Sequence, residues 1–252
     1  MRLTFLGTGT SSGVPTIACH CKVCASPDPR DKRTRPSVLL EFEGRAVVID
    51  TTPDFRAQVL REGLERLDAV VFTHGHADHI LGLDDVRVFH FRQKQPIPIY
   101  ADARCMDAIR QTFKYIFDGD YPYGGVVKLD PHLIEGPFEL GSLRMIPVPV
   151  LHGNMPILGF RFGDVAYLTD ISAVPEASLP LLEGLEVLIL DTLRHKPHPT
   201  HLTVEQSLAL VEKLKPRRAL CTHIAHDLGH EETNASLPPH MRLAYDGLKL
   251  EV

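Results

Sequence analysis

Four potential metal ligands stand within six consecutive residues of this chain. They are His74, His76, Asp78 and His79. On a regular strand or helix these side chains could not all point one way, but on a tight loop they can converge on two ions. Imidazole nitrogens suit zinc, iron or manganese, and the carboxylate adds a hard oxygen ligand. Because four crowded ionisable groups are costly without a cation between them, we interpret this cluster as a metal site.

A two-metal centre needs more ligands than one loop supplies, and three further candidates follow predicted strands. They are His152, Asp170 and His223. Residues at strand ends are held on a rigid scaffold, where active-site groups often gather. A single histidine beside a strand is nevertheless most often an ordinary hydrogen-bonded residue. Position alone therefore leaves both interpretations open for these three.

Cys19, Cys21 and Cys24 form a second group of potential ligands near the beginning of the chain. Five cysteines in 252 residues do not make a disulfide framework, so the crowding indicates metal binding in a reducing compartment. A closed structural zinc site needs a fourth ligand. A redox pair and unligated thiols are the alternatives. We interpret the isolated Cys105 and Cys221 as small buried side chains.

The elements that position these groups alternate between strands and helices after an early hairpin. Strands are predicted over 2–6, 37–42, 46–50, 68–73, 143–150, 157–162, 165–169, 187–190, 218–221 and 248–251. Helices are predicted over 55–62, 104–116, 175–182 and 203–215. This order predicts an α/β fold of mixed sheets covered by helices, folded as a single domain over 1–252.

The composition restricts the classes of function. A net charge of −5 with 44% hydrophobic residues is ordinary for a globular protein. Extended nucleic-acid binding is disfavoured, because phosphate backbones require a basic surface. The first residues lack the apolar segment of a signal peptide, and no stretch reaches the ~18 apolar residues of a membrane helix. We therefore expect a cytoplasmic protein without membrane contact.

Gly7, Gly9 and Gly13 follow the first predicted strand and invite comparison with a dinucleotide-binding loop. Their spacing does not match G-x-G-x-x-G, and no capped helix follows. We therefore expect no nucleotide cofactor. We expect instead that these glycines let the backbone pass close to the metal pocket.

The histidine cluster resembles a known family. The run from Thr73 to His79 is similar to the signature of the metallo-β-lactamase fold, and the family's later ligands match His152, Asp170 and His223. The resemblance implies an αβ/βα sandwich of two mixed sheets flanked by helices. It also implies a divided ligand set, with His74, His76 and His152 on one ion, Asp78, His79 and His223 on the other, and Asp170 between them.

Motifs outside the cluster narrow the resemblance. They are Leu6-Gly7-Thr8-Gly9-Thr10, Gly13-Val14-Pro15, the cysteine group, Thr222-His223-Ile224-Ala225-His226 and Tyr245-Asp246-Gly247. Together they are similar to the phosphoribosyl 1,2-cyclic phosphate phosphodiesterases of the carbon–phosphorus lyase pathway. This likeness implies that His226 completes a structural zinc site with the three cysteines. A hydrolase-like protein of pyrroloquinoline quinone biosynthesis shares the cysteine pattern.

The resemblance also implies a mechanism. Two divalent ions, Mn²⁺ or Zn²⁺, would supply a bridging hydroxide that attacks a small cyclic phosphodiester. His201 matches the family's general acid, which protonates the leaving alkoxide. Asp50 matches the carboxylate that orients a ligand histidine, and we count it with His201 and Asp78 as catalytic. The alternative for His201 is an ordinary residue before the helix over 203–215.

Four arginines are candidates for binding a substrate phosphate through paired hydrogen bonds. They are Arg33, Arg35, Arg56 and Arg194. The sequence does not choose among them, and a solvated surface arginine is the simpler interpretation of each. The natural substrate, the identity of the catalytic metals and the oligomeric state also stay open, and a homodimer is compatible with the sequence.

Other functions compete with a phosphodiesterase. A tRNA 3′-end endonuclease shares Leu6-Gly7-Thr8-Gly9 and Asp191-Thr192, but it would need a basic surface that this chain lacks. A thiolester hydrolase is a further enzymatic alternative, and the missing signal peptide disfavours a β-lactamase. Outside the enzymes, the chain could be a metal-binding accessory protein of quinone-cofactor biosynthesis. An accessory protein would need only a structural zinc ion and would not need an open two-metal site.

Overall fold

Two mixed β-sheets face each other across a shared apolar core in the computed structural model, which describes residues 1–118 and 124–252. The strands are β1 (Arg2–Gly7), β2 (Ser37–Phe42), β3 (Arg45–Ile49), β4 (Ala69–Val71), β5 (Ile97–Ala101), β6 (Leu129–Leu133), β7 (Phe138–Leu140), β8 (Leu143–His152), β9 (Met155–Phe162), β10 (Val165–Leu168), β11 (Val187–Asp191), β12 (Arg218–Thr222), β13 (Met241–Leu243) and β14 (Lys249–Glu251). Within the described residues, one sheet has the order β14-β1-β2-β3-β4-β5-β6 and the other β13-β12-β11-β10-β9-β8-β7.

Helices cover the outer faces of both sheets. They are α1 (Phe55–Glu62), α2 (Ala77–Ile80), α3 (Arg87–Gln93), α4 (Ala103–Thr112), α5 (Lys114–Phe117), α6 (Val204–Leu214) and α7 (His230–Ser236), with 3₁₀ turns at Pro29–Asp31, Leu83–Val86 and Glu176–Leu182. Apolar residues of α1, α3 and α4 pack on the first sheet, and those of α6 pack on the second. This layering confirms the expected αβ/βα sandwich of two mixed sheets flanked by helices.

The alternation of side chains along each strand explains the layers. In β3, Val47 and Ile49 face the opposite sheet, whereas Ala46 and Val48 face the helices. Both faces of the inner strands are therefore buried, which is why these strands read as continuous apolar runs. Full burial of each such aliphatic side chain contributes about 1.5–3 kcal/mol.

Strand β8 extends two residues beyond its predicted end and brings His152 to the edge of the fold. Its partner β7 pairs only with Leu143 to Met145, so β9 is the only strand that pairs with the rest of β8 in the described part of the chain, although Leu151 also bonds to the backbone of Ser172 and Ala173. Pro147 and Pro149 lie in this one-sided part. Proline lacks the N–H that an inner strand would need, and an edge tolerates it.

Two predicted helices differ from those in the structure. The segment 104–116 splits into α4 and α5, because Phe113 leaves the helical conformation with φ −109° and ψ 39°. The segment 175–182 forms a 3₁₀ turn that contains Pro180, whose ring and missing N–H oppose a regular α-helix. The remaining predicted elements were found with boundaries that match or shift by at most two residues, and β5, β6, β7, β13, α2, α3 and α7 had not been predicted.

Parallel strands collect the candidate site at one edge of the sandwich. β3 runs parallel to β4, and β10, β11 and β12 are parallel to one another. Asp50, Asp170 and His223 come within two residues of the carboxyl ends of β3, β10 and β12. Carboxyl ends of parallel strands meet on the same side of a sheet, where ligand sites form. No helix in residues 1–118 or 124–252 is both long and apolar enough to cross a membrane.

Candidate metal centre

The loop between β4 and α2 carries the histidine cluster. It leaves β4 after Val71 and turns into α2 at Ala77. A side chain at Gly75 would bring a Cβ atom to 2.7 Å from the Cβ of Ala108 on α4. The loop therefore packs directly on α4, and glycine is needed where the two backbones approach.

The structure brings the predicted ligands together in two groups. Ligand atoms within 4.8 Å of one another are found in His74, His76 and His152, and again in Asp78, His79, Asp170 and His223. Asp170 also lies within 4.8 Å of a ring nitrogen of His152. These groups coincide with the division that the family resemblance implies, and Asp170 stands between them.

The Asp170 carboxylate directs one oxygen to each of two histidines. Its Oδ2 lies 3.2 Å from Nε2 of His79, and its Oδ1 lies 3.0 Å from Nε2 of His223. Asp78 approaches the same His79 nitrogen at 3.4 Å. His79, Asp170 and His223 are almost completely buried. The geometry suits cations held between imidazole nitrogens and carboxylate oxygens.

Three buried ring nitrogens test whether divalent metals fit this site. Nε2 of His74, His79 and His223 has no hydrogen-bond partner among the described residues. Buried polar atoms are normally satisfied, because an unpaired one carries the full cost of its lost hydration. A cation would accept these lone pairs, so the residues present fit a metal centre.

The charge of the site leads to the same result. Burial lowers the pKa of the His223 imidazole, but the carboxylates of Asp170 and Asp78 outweigh it and raise that pKa to about 10. The pKa of His79 is also raised, because the same two carboxylates overcome burial. A pocket that holds a proton this strongly has excess negative charge, which divalent cations neutralise.

Three residues of the site have a left-handed backbone. Asp50, Asp170 and His223 have φ values of 65°, 58° and 56°, respectively. Non-glycine residues rarely occupy this region, and such conformations cost about 1–3 kcal/mol and cluster at functional sites. Each residue turns the chain just beyond a buried strand. The left-handed turn at each residue thus directs its side chain toward the centre.

Asp50 orients the histidine cluster through hydrogen bonds to Thr73 and His79. Its carboxylate accepts hydrogen bonds from the backbone N–H of Thr73 at 2.9 Å and from the Thr73 hydroxyl at 2.8 Å. It also lies 2.7 Å from Nδ1 of His79. Because Nδ1 donates to Asp50, Nε2 of His79 is left as the metal-facing atom. Asp50 thus occupies the position that the resemblance implies.

His201 lies beside the metal centre and is oriented by a residue that sequence reasoning missed. A ring nitrogen of His201 lies within 4.8 Å of ligand atoms of His152 and Asp170. Its Nδ1 lies 2.7 Å from Oδ2 of the fully buried Asp191. Asp191 ends β11, between the strands that precede Asp170 and His223. Its place at a strand end was the signal that could have identified it.

The environment of His201 favours transfer of its proton. Burial and the neighbouring His223 lower the pKa of His201 to about 4. An anionic substrate beside the ring would raise this pKa and favour the protonated form, because opposite charge stabilises the imidazolium. Asp191 holds Nδ1 of His201 and leaves its Nε2 free. The pair can therefore act as an oriented proton donor.

The cysteine group closes around His226. The Sγ atoms of Cys19, Cys21 and Cys24 lie 3.2, 3.5 and 3.4 Å from Nδ1 of His226. A tetrahedral zinc ion with usual bond lengths separates its sulfur and nitrogen ligands by about 3.5 Å. Hydrogen bonding from the Cys24 N–H lowers the pKa of the Cys21 thiol to about 6, which favours a thiolate ligand. The residues fit a structural zinc site, and Cys105 and Cys221 are buried as predicted.

Arg33 ties the cysteine-bearing segment to the loop after His223. Its guanidinium donates to the carbonyl oxygens of Ala225 at 3.1 Å and Leu228 at 2.8 Å, and it pairs with Asp31 at 2.9 Å. Arg33 is only 1% exposed. The interpretation of Arg33 as a solvated side chain or a phosphate ligand was therefore wrong, because all of its charge is used inside the fold.

The glycines of the first loop also differ from expectation. A Cβ at Gly7 would lie 1.9 Å from the carbonyl oxygen of Arg35, and one at Gly9 would lie 2.8 Å from that of Arg33. The close approach that they permit is to residues 33–35 and not to the metal pocket. The loop nevertheless borders the site, since the Thr10 N–H donates to the carbonyl of Ile224, next to His223.

The other three candidate arginines differ from Arg33 in their burial and in their ion pairs. Arg35 is partly buried and paired with Asp54 at 3.0 Å. Arg56 is exposed on α1. Arg194 is partly buried in the loop that leads to His201. Only Arg194 combines partial burial with a place on the loop that carries His201 and with no ion pair within the described part of the chain.

Comparison with known proteins supports this geometry. A family model described as "Beta-lactamase superfamily domain" matches residues 45–224. A solved structure described as a new diphosphatase from the PhnP family is 52% identical, covers 100% of this chain and 97% of that one, and has a TM-score of 0.94. The Zn²⁺-bound PqqB of Methylobacterium extorquens is 22% identical, with a TM-score of 0.80 and full coverage of both chains, which shows the shared fold alone.

A curated relative has a further region. The octanoyltransferase of Porphyromonas gingivalis is 38% identical over 99% of this chain but is matched over only 51% of its own length. The chain thus spans about half the length of that relative. Its name describes the longer protein and carries no activity over to the shared part.

Replacement of Asp50 tests the support of His79. In Asp50→Asn the charged acceptor of the Nδ1 hydrogen bond is lost, so we expect metal affinity to fall about 10- to 100-fold. Chelator competition, followed by elemental analysis of the bound metal, measures the change. Asp164→Asn, at an exposed turn, is the matched control. Unchanged metal affinity in a folded Asp50→Asn protein would contradict this role.

Replacement of Cys24 tests the structural zinc site. In Cys24→Ser we expect one zinc ion fewer per chain and a lower melting temperature, because a thiolate ligand that holds the segment to His226 is lost. The comparison is His20→Ala, since His20 lies in the same segment but is exposed and outside the ligand group. Equal zinc content in Cys24→Ser and the wild type would rule the site out.

Proposed function

Because the chain belongs to the β-lactamase superfamily, we propose that it is a dinuclear metal-dependent hydrolase that cleaves a phosphodiester bond in a small molecule. It also belongs to the PhnP family, since a diphosphatase of that family is 52% identical over the whole chain. The observation that carries the proposal is the convergence of seven potential ligands beside an oriented His201–Asp191 pair. Metal sites and proton donors are combined in this way for hydrolysis.

Each group of residues has a separate task in this proposal. His74, His76 and His152 would hold one ion, Asp78, His79 and His223 the other, and Asp170 would contact both. When bound, two divalent ions such as Mn²⁺ or Zn²⁺ lower the pKa of water and offset the charge on a phosphoryl group. Asp50 keeps His79 in the metal-binding tautomer, and the strained backbones of Asp170 and His223 keep their side chains in place.

His201 is the proposed general acid. Its Nδ1 is held by Asp191, so its Nε2 faces the centre and can donate a proton to the leaving oxygen. An alkoxide leaving group needs this proton, because it is a strong base. A thiolate leaves more easily, and the oriented pair is therefore better suited to a phosphate ester than to a thiolester.

The alternative functions fit the molecule less well. A tRNA endonuclease would need a basic surface to grip its substrate, whereas this chain has a net charge of −5. An accessory protein of quinone-cofactor biosynthesis would need only the Cys19–His226 zinc site, and it would have no use for a second, seven-ligand centre.

The three unpaired thiols of the zinc group also fit a cytoplasmic location, which we propose. We also propose that the chain forms a single domain over 1–252 and a homodimer.

A substrate panel tests the proposed reaction. We expect the manganese-loaded protein to hydrolyse cyclic and linear phosphodiesters and to leave a thiolester intact, because the His201–Asp191 pair protonates a basic leaving oxygen and a thiolate does not need this proton. Initial rates by chromatography of the products are the measurement. Turnover of the thiolester in the absence of any phosphodiesterase activity would overturn the proposal.

The leaving group tests the role of His201. In His201→Ala we expect kcat for a cyclic alkyl phosphodiester to fall about 10²- to 10⁴-fold, the usual size of general acid catalysis. For bis(4-nitrophenyl) phosphate the loss should be much smaller, because nitrophenolate leaves without a proton. Metal content should not change. His195→Ala, an exposed histidine paired with Glu205, is the matched control. Equal losses on both substrates would contradict the role.

A further inference from the structure

A cavity of about 190 Å³ lies beside the histidine cluster, between α4 and β9. Its walls include His74 and His76 from the loop after β4, Ala108 from α4, and Met155 and Pro156 from β9. His74 and His76 are two of the three potential ligands of the first ion. The cavity therefore shares a wall with the candidate metal centre, and a group bound in it would lie next to a substrate at that centre.

The walls of the cavity are joined to one another. A Cβ atom at Gly75 would lie 2.7 Å from the Cβ of Ala108, so the loop packs on α4 without a gap. On the other side, the Leu158 N–H donates to the carbonyl of Thr73 at 3.1 Å and connects β9 to the beginning of the loop. The cavity is therefore preformed, as binding pockets usually are.

The edge of β9 beside the loop has no free backbone N–H at Leu158 or Pro156. Successive N–H groups point alternately to the two sides of a strand, so the nitrogen atoms of these two residues lie on the same side. Leu158 uses its N–H on Thr73, and Pro156 has none. Met155 adds a thioether side chain, which is apolar and adapts to irregular shapes. This wall is therefore suited to an apolar group.

The wall from α4 is also mainly apolar. Ala108 and the 1% exposed Cys105 contribute small side chains. Asp102 accepts the N–H of Cys105 at 2.7 Å, so one of its carboxylate oxygens is used to cap the helix. Arg104 is exposed, and its methylene groups can cover apolar surface while its charge stays in water. The burial of apolar surface is therefore the main contribution that this cavity can make to binding.

The volume limits the guest to about one ring. An apolar cavity of about 150 Å³ in another protein holds benzene, whereas sites for drug-sized ligands measure about 300–1,000 Å³. At about 190 Å³, the cavity has room for a phenyl group and the atom that connects it to the rest of a substrate.

The cavity and the proposed proton donor border different ligands of the centre. The ring centroid of His201 lies 4.8 Å from that of His152 and 4.4 Å from that of His223. Among the described residues, the groups of close ligand atoms that contain His201 do not include His74 or His76. The cavity borders His74 and His76 instead. A substrate held at the centre can therefore direct one substituent to His201 and another into the cavity.

Hydrolysis treats the two substituents of a phosphodiester differently. The water oxygen bonds to the phosphorus, the bond to the leaving oxygen breaks, and the leaving oxygen gains one of the two water protons. The other substituent stays on the phosphorus in the monoester product. With the leaving oxygen beside His201, the retained substituent is the one that can enter the cavity.

We propose that this cavity binds the retained substituent of the substrate and selects phosphodiesters in which that substituent is a single aromatic ring. The inference rests on the proposed phosphodiesterase function and adds a substrate class for the same site. Burial of one ring corresponds to a preference of about 10- to 100-fold over a methyl group. Met155 and Pro156 on β9 and Ala108 on α4 are then residues that determine specificity.

Two substrates with the same leaving group test the inference. Phenyl 4-nitrophenyl phosphate and methyl 4-nitrophenyl phosphate both release 4-nitrophenolate and differ only in the retained substituent. We expect kcat/KM of the metal-loaded wild type to be about 10- to 100-fold higher for the phenyl ester, after correction for the rates of uncatalysed hydrolysis. The absorbance of nitrophenolate gives the rates.

Filling the cavity should remove this preference. In Pro156→Trp and in Met155→Trp we expect the corrected ratio of the two kcat/KM values to fall to near one, because an indole ring occupies the space of the phenyl group. Leu60→Trp, at an exposed position of α1 outside the cavity, is the matched control and should keep the wild-type ratio. A ratio is used because a general loss of activity affects both substrates and leaves it unchanged.

Binding gives a second readout that does not depend on turnover. Phenylphosphonate and methylphosphonate have the same anionic group and cannot be hydrolysed. In calorimetric titrations of the metal-loaded wild type we expect Kd to be about 10- to 100-fold lower for phenylphosphonate, and we expect Pro156→Trp to remove most of this difference.

The outcomes separate this proposal from the proposed function. If the wild type hydrolyses both esters with equal corrected rates, or if both filled variants keep the wild-type ratio, the ring-binding cavity is overturned while the phosphodiesterase function stands. If the wild type hydrolyses neither ester, the phosphodiesterase function fails, and the inference that rests on it fails as well.

Discussion

The Asp170 carboxylate, buried between two imidazoles, is the interaction on which the rest of the site depends. It lies about equally far from Nε2 of His79 and Nε2 of His223, at 3.2 and 3.0 Å. These histidines come from opposite sheets, after β4 and β12. A charge in this position joins the two halves of the sandwich electrostatically. It is tolerable in the interior only with positive partners, which protons or divalent ions provide.

The surroundings of that charge are organised to keep it in place. Asp50, Asp170 and His223 each hold an unfavourable left-handed backbone at the edge of the sandwich. On the second sheet, the segment after His223 is fixed by the Arg33 guanidinium, by the first loop and by the cysteine group around His226. The cysteine group thus helps to hold the segment that carries His223 in place. Such strain persists because neighbouring contacts over-determine it.

The metal centre alone does not decide which substrate this site can accept. The seven potential ligands and the neighbouring His201–Asp191 pair are suited to hydrolysis of many esters, as expected of a fold that hosts many chemistries. Selectivity has to come from groups that contact the remainder of the substrate.

The sequence by itself determined the ligand types, their short-range spacing and the layered α/β architecture. The reason is that His74 to His79 and the apolar runs are local patterns, and each constrains its own segment. The sequence could not identify Asp191 as the partner of His201, because the two residues are 10 positions apart. It also could not show that Arg33 is buried and bonded to Ala225, because that contact joins residues 192 positions apart. Only the tertiary structure decided which strand ends meet at one edge, and therefore which charges are paired inside the fold and which gather at the candidate site.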